Sequence, residues 1–430
     1  MMNGLDKVKQ KPFILGFILL YVLPPIGMAW FVGCAILEWR SQISKKHALP
    51  TDLISLLLAL MAIASIGSVL INWQVTDLLS TLILIGYLGI YMYWLRHPEH
   101  LHIRQFVWIT IWGGVYIFFS EKVLNLIPHD SIVGTAVSFL TGHFLFGYRG
   151  MPRLYGSTFN PNYACYLLIL ALAFLSVELL RALQLKNKRL IVLSLLILPI
   201  LDLGIYQTGS RAGFAIMFLI HLLFLYKLSI RAFIPVAALV MISAPFLYQW
   251  MPRSGGTESS MAKRIEIWGN SWHIFTENPF FGATTFGFGR DYAALNGEMI
   301  PHAHDLFLSV LSSSGIFCGL FFLAVIVINT FQLFKAQRMS AKTNYSAALF
   351  LFSLPTIILY GIMDFTLSSP QVMIMVLVLL SYWVRYSARM NQFARLHKTI
   401  KLVLGNRVHF GNRRRQKPAM LQTFKGASGR

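Results

Sequence analysis

The sequence is poor in charged residues and in cysteine. Only 12% of its 430 residues are Asp, Glu, Lys or Arg, whereas 56% are hydrophobic. This composition excludes a soluble globular domain, because such domains carry far more charge on their surfaces. The cysteines Cys34, Cys165 and Cys318 all lie in apolar segments and indicate neither a disulfide framework nor a zinc site.

Apolar runs of about 20 residues recur along the chain, which is long enough for a helix to cross a bilayer. They are too long for barrel strands, and lipid admits only helices or closed barrels. We therefore predict an all-α polytopic membrane protein of about 12 membrane segments, with ten full spans and an N-terminal hairpin broken at Pro24-Pro25. The spans are expected near 51–72, 77–95, 104–120, 162–181, 190–208, from 213 to Lys227, and at 232–250, 304–334, 345–364 and 370–388.

The net charge of +21 comes from basic clusters that fall on alternate loops. From Arg385 to the end of the sequence there are twelve Lys and Arg and no acidic residue. This positive-inside pattern predicts the cytoplasmic membrane, with both termini cytoplasmic and one large external loop at 251–303, and it argues against a nucleic-acid partner. We divide the chain into N-terminal membrane helices (1–150), a membrane domain (151–388) and a basic cytoplasmic tail (389–430).

A few basic residues depart from this pattern and group on the predicted outer face. They are Lys122, Arg149, Arg153, Arg211, Arg253, Lys263, Arg264 and Arg290. Arg211 lies in the turn Gly209-Ser210-Arg211-Ala212-Gly213, where small neighbours let backbone N–H groups approach an anion at a helix N-terminus. Binding of an anion and simple snorkelling to lipid headgroups both explain Arg211 from sequence alone.

Arg264 opens an amphipathic stretch whose apolar face is predicted to include Ile265, Trp268, Trp272 and Phe275. The glycines at 282–289 that follow lack a phosphate-binding pattern, and a flexible turn is the favoured interpretation.

His302 and His304 precede a long apolar helix, together with Asp305. The pair lacks the additional ligands of a metal site, whereas a neutral imidazole suits a general base. Asp305 is placed like an N-cap, a structural role as plausible as a catalytic one. Two further acids stand apart: Asp202 lies inside a span, where pairing with an arginine or a backbone donor is favoured over a proton relay, and Asp364 is expected to be surface-accessible.

Residues 150–370 resemble the O-antigen ligase and polymerase superfamily, bacterial membrane enzymes that use undecaprenyl-pyrophosphate-linked donors. The resemblance rests on Gly156 with Asn160-Pro161-Asn162, the turn around Arg211, Arg264 with Trp268, Asn278-Pro279 with Gly282, and His304 with Gly315. One departure is that Asp305 stands where the ligase motif has Asn, Ser or Gln, and Cys318 occupies the motif's last position.

The resemblance implies a metal-independent, inverting glycosyltransferase of the GT-C-like type that needs no cofactor. Its partners would be a polyprenyl-pyrophosphate-linked glycan donor, a glycan or glycolipid acceptor, and membrane lipids. His304 would be the catalytic base, and Arg211 and Arg264 would bind the pyrophosphate. Possible acceptor-side or supporting residues are His302, Asp305, Arg149, Arg153, Asn160, Asn162 and Arg290.

Two other classes of protein remain open at this point. A polytopic transporter for a glycolipid or a small anion accounts for the spans and for Asp202, and a membrane scaffold accounts for the spans alone. Neither requires histidines beside external arginines.

Overall fold

A computed structural model describes residues 4–45, 50–124, 126–127, 131–141, 153–253, 257–339 and 344–407. Within these ranges the secondary structure is helical and no strand occurs, which confirms the all-α prediction. The helices are α1 Gly4–Val22, α2 Pro24–Lys45, α3 Leu53–Asn72, α4 Leu78–Arg96, α5 Ile103–Leu124, α6 Ile132–Thr141, α7 Pro161–Gln184, α8 Lys188–Gln207, α9 Arg211–Leu228, α10 Ile230–Ile242, α11 Ala244–Trp250, α12 Thr257–Glu277, α13 Thr285–Asn296, α14 Leu306–Met339, α15 Tyr345–Gly361 and α16 Pro370–Arg407.

In the described part of the chain, eight helices are long and apolar enough to cross a membrane. They are α3, α4 (counted from Val75), α5, α7, α8, α9, α14 and the first part of α16 (Pro370–Met390). Helices α10 and α11 make a ninth span if they are taken together. The chain is thus a multi-pass membrane protein, and α15, with 17 residues, is a shorter apolar helix.

The N-terminal hairpin is present as predicted, with the chain turning at Leu23 between α1 and α2. The two helices pack against each other so closely that a Cβ on Gly27 would lie 2.3 Å from the backbone nitrogen of Leu20. Proline at the first position of α2 ends the preceding hydrogen-bond ladder without disturbing the new one.

The segment predicted as one span at 232–250 is instead two helices, α10 and α11, bent by 67° at their junction. Ser243 ends α10, and Pro245 lies in the first turn of α11, where its missing N–H costs no helical hydrogen bond. Neither helix buries a residue inside the protein.

Helix α7 is the most buried span and carries part of the site at its N-terminal end. It packs against α5, α8, α9 and α15, and 94% of its apolar window is buried. Its start is well defined, because the Asn160 side chain accepts from the Asn162 amide (2.8 Å) and Pro161 occupies the first helical position.

Helix α14 is kinked near its N-terminal end, where Gly315 has φ of +79°. The loop before α13 fills the break: Ala283 N donates to Ser312 O (2.9 Å), and Ile316 N donates to Pro279 O (2.8 Å). A Cβ at Gly315 would lie 2.1 Å from Phe280 O, so only glycine fits there. The kink therefore explains why the motif has a glycine at position 315, ten residues after Asp305.

One prediction for the segment expected to be external needs correction. Gly287 and Gly289 lie inside α13 rather than in a flexible turn, and of the three glycines only Gly282, with φ of +69°, has a turn conformation. On α12, which packs against α13 and α14, the buried residues include Ile267, Ser271, Ile274 and Phe275, whereas Ile265 and Trp272 are exposed. The location of this helix at the membrane interface stays a prediction.

The described part of the chain divides into two units after Arg385. In the second unit the structure describes a helix as far as Arg407, so the boundary predicted at 388 falls inside α16. The apolar segment 131–147, which its length and moderate hydropathy predict to be re-entrant or interfacial, forms helix α6 over Ile132–Thr141, and 142–147 lie outside the described residues.

Candidate functional site

His304 is paired with an aspartate that sequence analysis placed at the surface. Its Nδ1 donates to Asp364 Oδ1 at 2.8 Å, across 60 positions of sequence. Asp364 is only 3% exposed, so the expectation of surface accessibility is wrong. The carboxylate follows the end of α15 and is covered where this end meets the N-terminal ends of α7 and α14.

Asp364 is also held from its other side. Asn162 Nδ2 donates to Asp364 Oδ2, and Arg153 donates to Asn162 Oδ1 at 2.8 Å. Arg153 is itself fixed by a second bond, from Nε to the Thr208 carbonyl at 2.6 Å. The result is a continuous hydrogen-bonded row from an arginine to a histidine, and each member orients the next.

The protonation of this row follows from its charges. Burial opposes the ionisation of Asp364, but the hydrogen bond from His304 and the nearby charges, including that of Arg264, bring its pKa down to about 2. An ionised carboxylate can only accept hydrogen bonds, so Nδ1 of His304 carries the proton. In neutral His304 the lone pair is therefore on Nε2, the nitrogen directed away from Asp364.

His302 supports the backbone of His304 and is buried. It is 6% exposed, and its Nδ1 accepts from the backbone N–H of His304 at 3.3 Å. Burial lowers the pKa of His302 to about 4, so the ring is neutral near pH 7. His304 has φ of +51°, a left-handed conformation that is unfavourable for a residue with a side chain and that this bond helps to hold.

Four arginines converge beside the histidine pair: Arg153, Arg211, Arg253 and Arg264. Arg253 adds to the effect of burial in lowering the pKa of Arg153. The charges of Arg253 and Arg264 both repel that of Arg211, and Arg264 attracts Asp364. So many cations with few acids among them create an environment suited to an anion.

Arg211 carries the most direct sign of such an anion. Its terminal nitrogen NH1 is buried and has no hydrogen-bond partner among the described residues. Ser210 caps α9 by accepting from Gly213 N (3.2 Å), which places Arg211 at the first helical position. A buried guanidinium donor without an acceptor is costly, and phosphate oxygens are acceptors that match its geometry.

Both the backbone conformation and the close neighbours of Gly209, the first residue of the turn, require a glycine there. Gly209 has φ of +67°, and a Cβ there would lie 3.1 Å from Arg153 Nε and 3.2 Å from Arg253 Cδ. Tyr360 of α15 joins the turn to the row described above: its hydroxyl lies 2.9 Å from Ser210 Oγ and donates to Asn162 O at 3.2 Å. Tyr360 and Asp364 were both missed as site residues, because no local pattern distinguishes them from other residues near a helix end.

The remaining candidates lie in supporting positions. Asp305 caps α14, accepting from Leu308 N at 2.7 Å, as its position predicts. Arg290 binds Asp77 through two contacts of 3.1 and 3.2 Å, which tie α13 to the turn between α3 and α4. Asn160 caps α7. Arg149 lies outside the described residues.

Asp202 pairs with a histidine, not with the arginine or backbone donor that was expected. Its Oδ1 lies 3.1 Å from His221 Nε2, which links α8 to α9 inside the membrane. Pairing removes most of the cost of a lone carboxylate in a span.

The donor atoms of His302, His304 and Asp364 lie within 4.8 Å of one another, close enough to share a metal ion. However, Asp364 is a single negative charge that interacts with Arg153 and Arg264, and Arg211 and Arg253 lie beside these two arginines. The positive charge of these arginines would repel a divalent cation. Although the three side chains could hold a metal ion, their surroundings favour an anionic ligand.

The fold and the site define a multi-pass helical membrane protein with a histidine–aspartate pair beside an arginine cluster. Residues 164–323 match the protein family described as O-Antigen ligase. This match confirms the resemblance to the O-antigen ligase and polymerase superfamily and supports a membrane glycan-transferring function in general. No curated protein matches the chain.

Proposed function

We propose that the protein transfers a sugar chain or repeat unit from a polyprenyl-pyrophosphate donor to an acceptor hydroxyl at the outer face of the cytoplasmic membrane. The observation that carries this proposal is the buried NH1 of Arg211, which has no hydrogen-bond partner in the described part of the chain and lies within a group of arginines beside His304. The arginines provide donors for a pyrophosphate, and the histidine provides a base for a hydroxyl.

His304 acts as the general base through Nε2. It removes the proton of the acceptor hydroxyl as the oxygen forms a bond to the anomeric carbon of the donor sugar. The bond from that carbon to the pyrophosphate oxygen breaks at the same time, and both of its electrons leave with the polyprenyl pyrophosphate. Attack opposite the leaving group inverts the anomeric centre.

Arg211 and Arg264 bind the pyrophosphate, and they matter most as it leaves. Negative charge grows on the leaving oxygen during bond cleavage, so fixed guanidinium groups stabilise the transition state more than the ground state. The arginines take the part that a divalent ion plays in many phosphate-binding enzymes, and we propose that the reaction is metal-independent.

Asp364 fixes the orientation of the base. Its hydrogen bond to Nδ1 keeps Nε2 directed toward the acceptor, and its charge stabilises the imidazolium formed after proton transfer. Asn162 and Arg153 hold the carboxylate in turn.

The decisive experiment is transfer by the full-length protein in lipid nanodiscs, with a polyprenyl-pyrophosphate glycan donor and a glycan or glycolipid acceptor. Arg264→Ala should remove most transfer. Its matched control is Lys263→Ala on the same helix, because Lys263 is engaged by Glu298 (2.8 Å) and Glu266 (3.5 Å). Equal activity of the two variants would contradict the pyrophosphate role, and glycolipid movement across the bilayer without transfer would favour a transporter.

The proposed orientation has a separate test in cells. The cysteines Cys34, Cys165 and Cys318 are buried, so single new cysteines can be labelled selectively. Thr276→Cys on exposed α12 should react with an impermeant reagent in intact cells. His102→Cys, in the loop between α4 and α5, should react only after permeabilisation. Labelling of both from the same side would refute the orientation.

A further inference from the structure

A second group of histidines lies away from the transfer site, in the loop between α4 and α5. His97, Glu99 and His100 offer one donor atom each, and these atoms lie within 4.8 Å of one another. His97 Nδ1 is 3.3 Å from Glu99 Oε1, and His100 Nε2 is 3.8 Å from the same oxygen. Ligands bound tetrahedrally at zinc–ligand distances of about 2.1 Å stand about 3.4 Å apart, and these two nitrogen–oxygen distances are near that spacing.

The group lies at the opposite end of α4 from the transfer site. The N-terminal end of α4 adjoins Asp77, which binds Arg290 of the segment that leads to His304. Helix α4 has 19 residues, a length of about 28 Å. His97 follows its last residue, so an ion here would take no part in transfer.

A supporting shell is already in place. The Tyr93 hydroxyl lies 3.0 Å from Nδ1 of His100, which leaves Nε2 on the side of Glu99. Metal-binding histidines usually have their other ring nitrogen bonded in this way. Phe13 of α1 stacks on His100, with ring centroids 4.2 Å apart, and fixes the plane of the ring.

The local charges also suit a cation. Arg96, the residue before His97, is paired with buried Glu38 at 2.6 Å. Glu38 Oε2 in addition lies 4.0 Å from His97 Nε2. Glu99 therefore keeps its charge for an ion, and its side chain is 58% exposed, so an ion can enter from water.

We propose that His97, Glu99 and His100 bind one divalent transition-metal ion of the zinc class. Two imidazoles and one carboxylate are ligands that zinc accepts, whereas magnesium and calcium prefer oxygen alone. Gln10 of α1 donates to the backbone carbonyl of Glu99 at 2.9 Å, and Glu38 belongs to α2. The ion would thus fasten the loop beside both helices of the N-terminal hairpin.

The test is titration of the full-length protein, carrying a tag without histidine, with Zn²⁺ against a chelating indicator. The wild type should bind one ion at this site, and the ion should raise its unfolding temperature, since it binds only the folded protein. His97→Ala and Glu99→Gln should each weaken binding at least tenfold, and Tyr93→Phe should weaken it by about 10–100-fold.

His102→Ala is the matched control, because His102 is exposed in the same loop and its side chain is outside the group. It should bind Zn²⁺ like the wild type. Absence of binding, an equal loss in His102→Ala, or loss only in His302→Asn would overturn the inference. None of these outcomes depends on glycan transfer, so the inference can fail without the proposed function failing.

Discussion

The protein contains two groups that each consist of two histidines and one carboxylate. Their surroundings differ, so that one group favours an anion and the other a cation. In the group of His302, His304 and Asp364, two members are buried and four arginines stand nearby. In the group of His97, Glu99 and His100, the carboxylate is exposed and Arg96 is already paired.

The types of side chain in a group therefore do not by themselves decide whether it binds a cation or an anion. Coulomb interactions in a buried site are only weakly screened, so the arginines around Asp364 outweigh its single charge and favour an anion. At the exposed group, water and Glu38 leave Glu99 available to a cation. Variants of the two groups and of their neighbours test this contrast.

His304→Ala should reduce transfer by about 10²–10⁴-fold, the usual contribution of a general base. Donor lipid should accumulate, as measured by chromatography of extracted lipids. The control is His97→Ala, which should transfer like the wild type. If the two variants lost transfer to a comparable extent, the two groups would not differ in function as proposed.

Arg211→Ala and Arg264→Ala should each lower the transfer rate by about 10²–10³-fold, as expected when a preorganised donor to developing charge is lost. Replacement by Lys should restore only part of the rate, because an ammonium cannot form the two-pronged contact of a guanidinium. Initial rates in nanodiscs measure the effect. Full activity of the Ala variants would mean that these arginines only anchor helices.

Asp364→Asn should lower the maximal rate by about 10–100-fold, as for other groups that orient a reacting side chain, with little effect on the concentration of donor giving half-maximal rate. The amide no longer stabilises the imidazolium. Asp202→Asn breaks the other aspartate–histidine pair, inside the membrane, and should leave transfer unchanged. If Asp202→Asn lowered transfer and Asp364→Asn did not, the role proposed for Asp364 would be wrong.

His302→Asn should keep activity within about tenfold of wild type, because an Asn side chain can also accept from the backbone N–H two residues on. His302→Phe should lose more. The pKa of His302 is about 4 in the folded protein and near 6.5 when unfolded, so the unfolded chain binds more protons between these values. Stability therefore falls as pH decreases from 6.5 toward 4.

This acid sensitivity offers a direct measurement. The unfolding temperature of the wild type should drop more between pH 7 and pH 5 than that of His302→Asn, which has nothing to titrate at this position. The two proteins should behave alike between pH 7 and pH 8. Parallel curves throughout would show that His302 is not buried as described.

The smallest expected effect is that of a chelator. Removal of divalent ions with EDTA should leave the rate of transfer unchanged while it lowers the unfolding temperature of protein loaded with Zn²⁺. Loss of transfer, restored by a divalent ion in His97→Ala as well as in wild type, would place the ion at the His304 group instead.

Local sequence was sufficient for the class of fold and for several residues of the site. Apolar runs longer than a barrel strand can adopt only helix in lipid, so the all-α architecture followed from composition and run length. The turn around Arg211 and the cap at Asp305 also have local causes, namely small neighbouring residues and a short carboxylate. The kink at Gly315 depends in addition on the loop at Pro279–Ala283, and it was not predicted.

The break between α10 and α11 was not predicted. Hydropathy averages over a window and therefore does not register a bend within an apolar run. The residues that α12 buries depend on its packing against α13 and α14, which its own sequence does not specify.

The pairing of His304 with Asp364 depends on tertiary structure alone. Asp364 looked like a surface acid and His302 like a loop residue, because each precedes or follows an apolar helix end. Their burial depends on how the ends of α7, α14 and α15 meet, which brings Asp364 to His304 across 60 positions. The sequence could name the chemical groups, since these are properties of single residues. Which groups share a hydrogen bond depends on the packing of helices distant in sequence, and that arrangement made Asp364 the partner of His304, the proposed base.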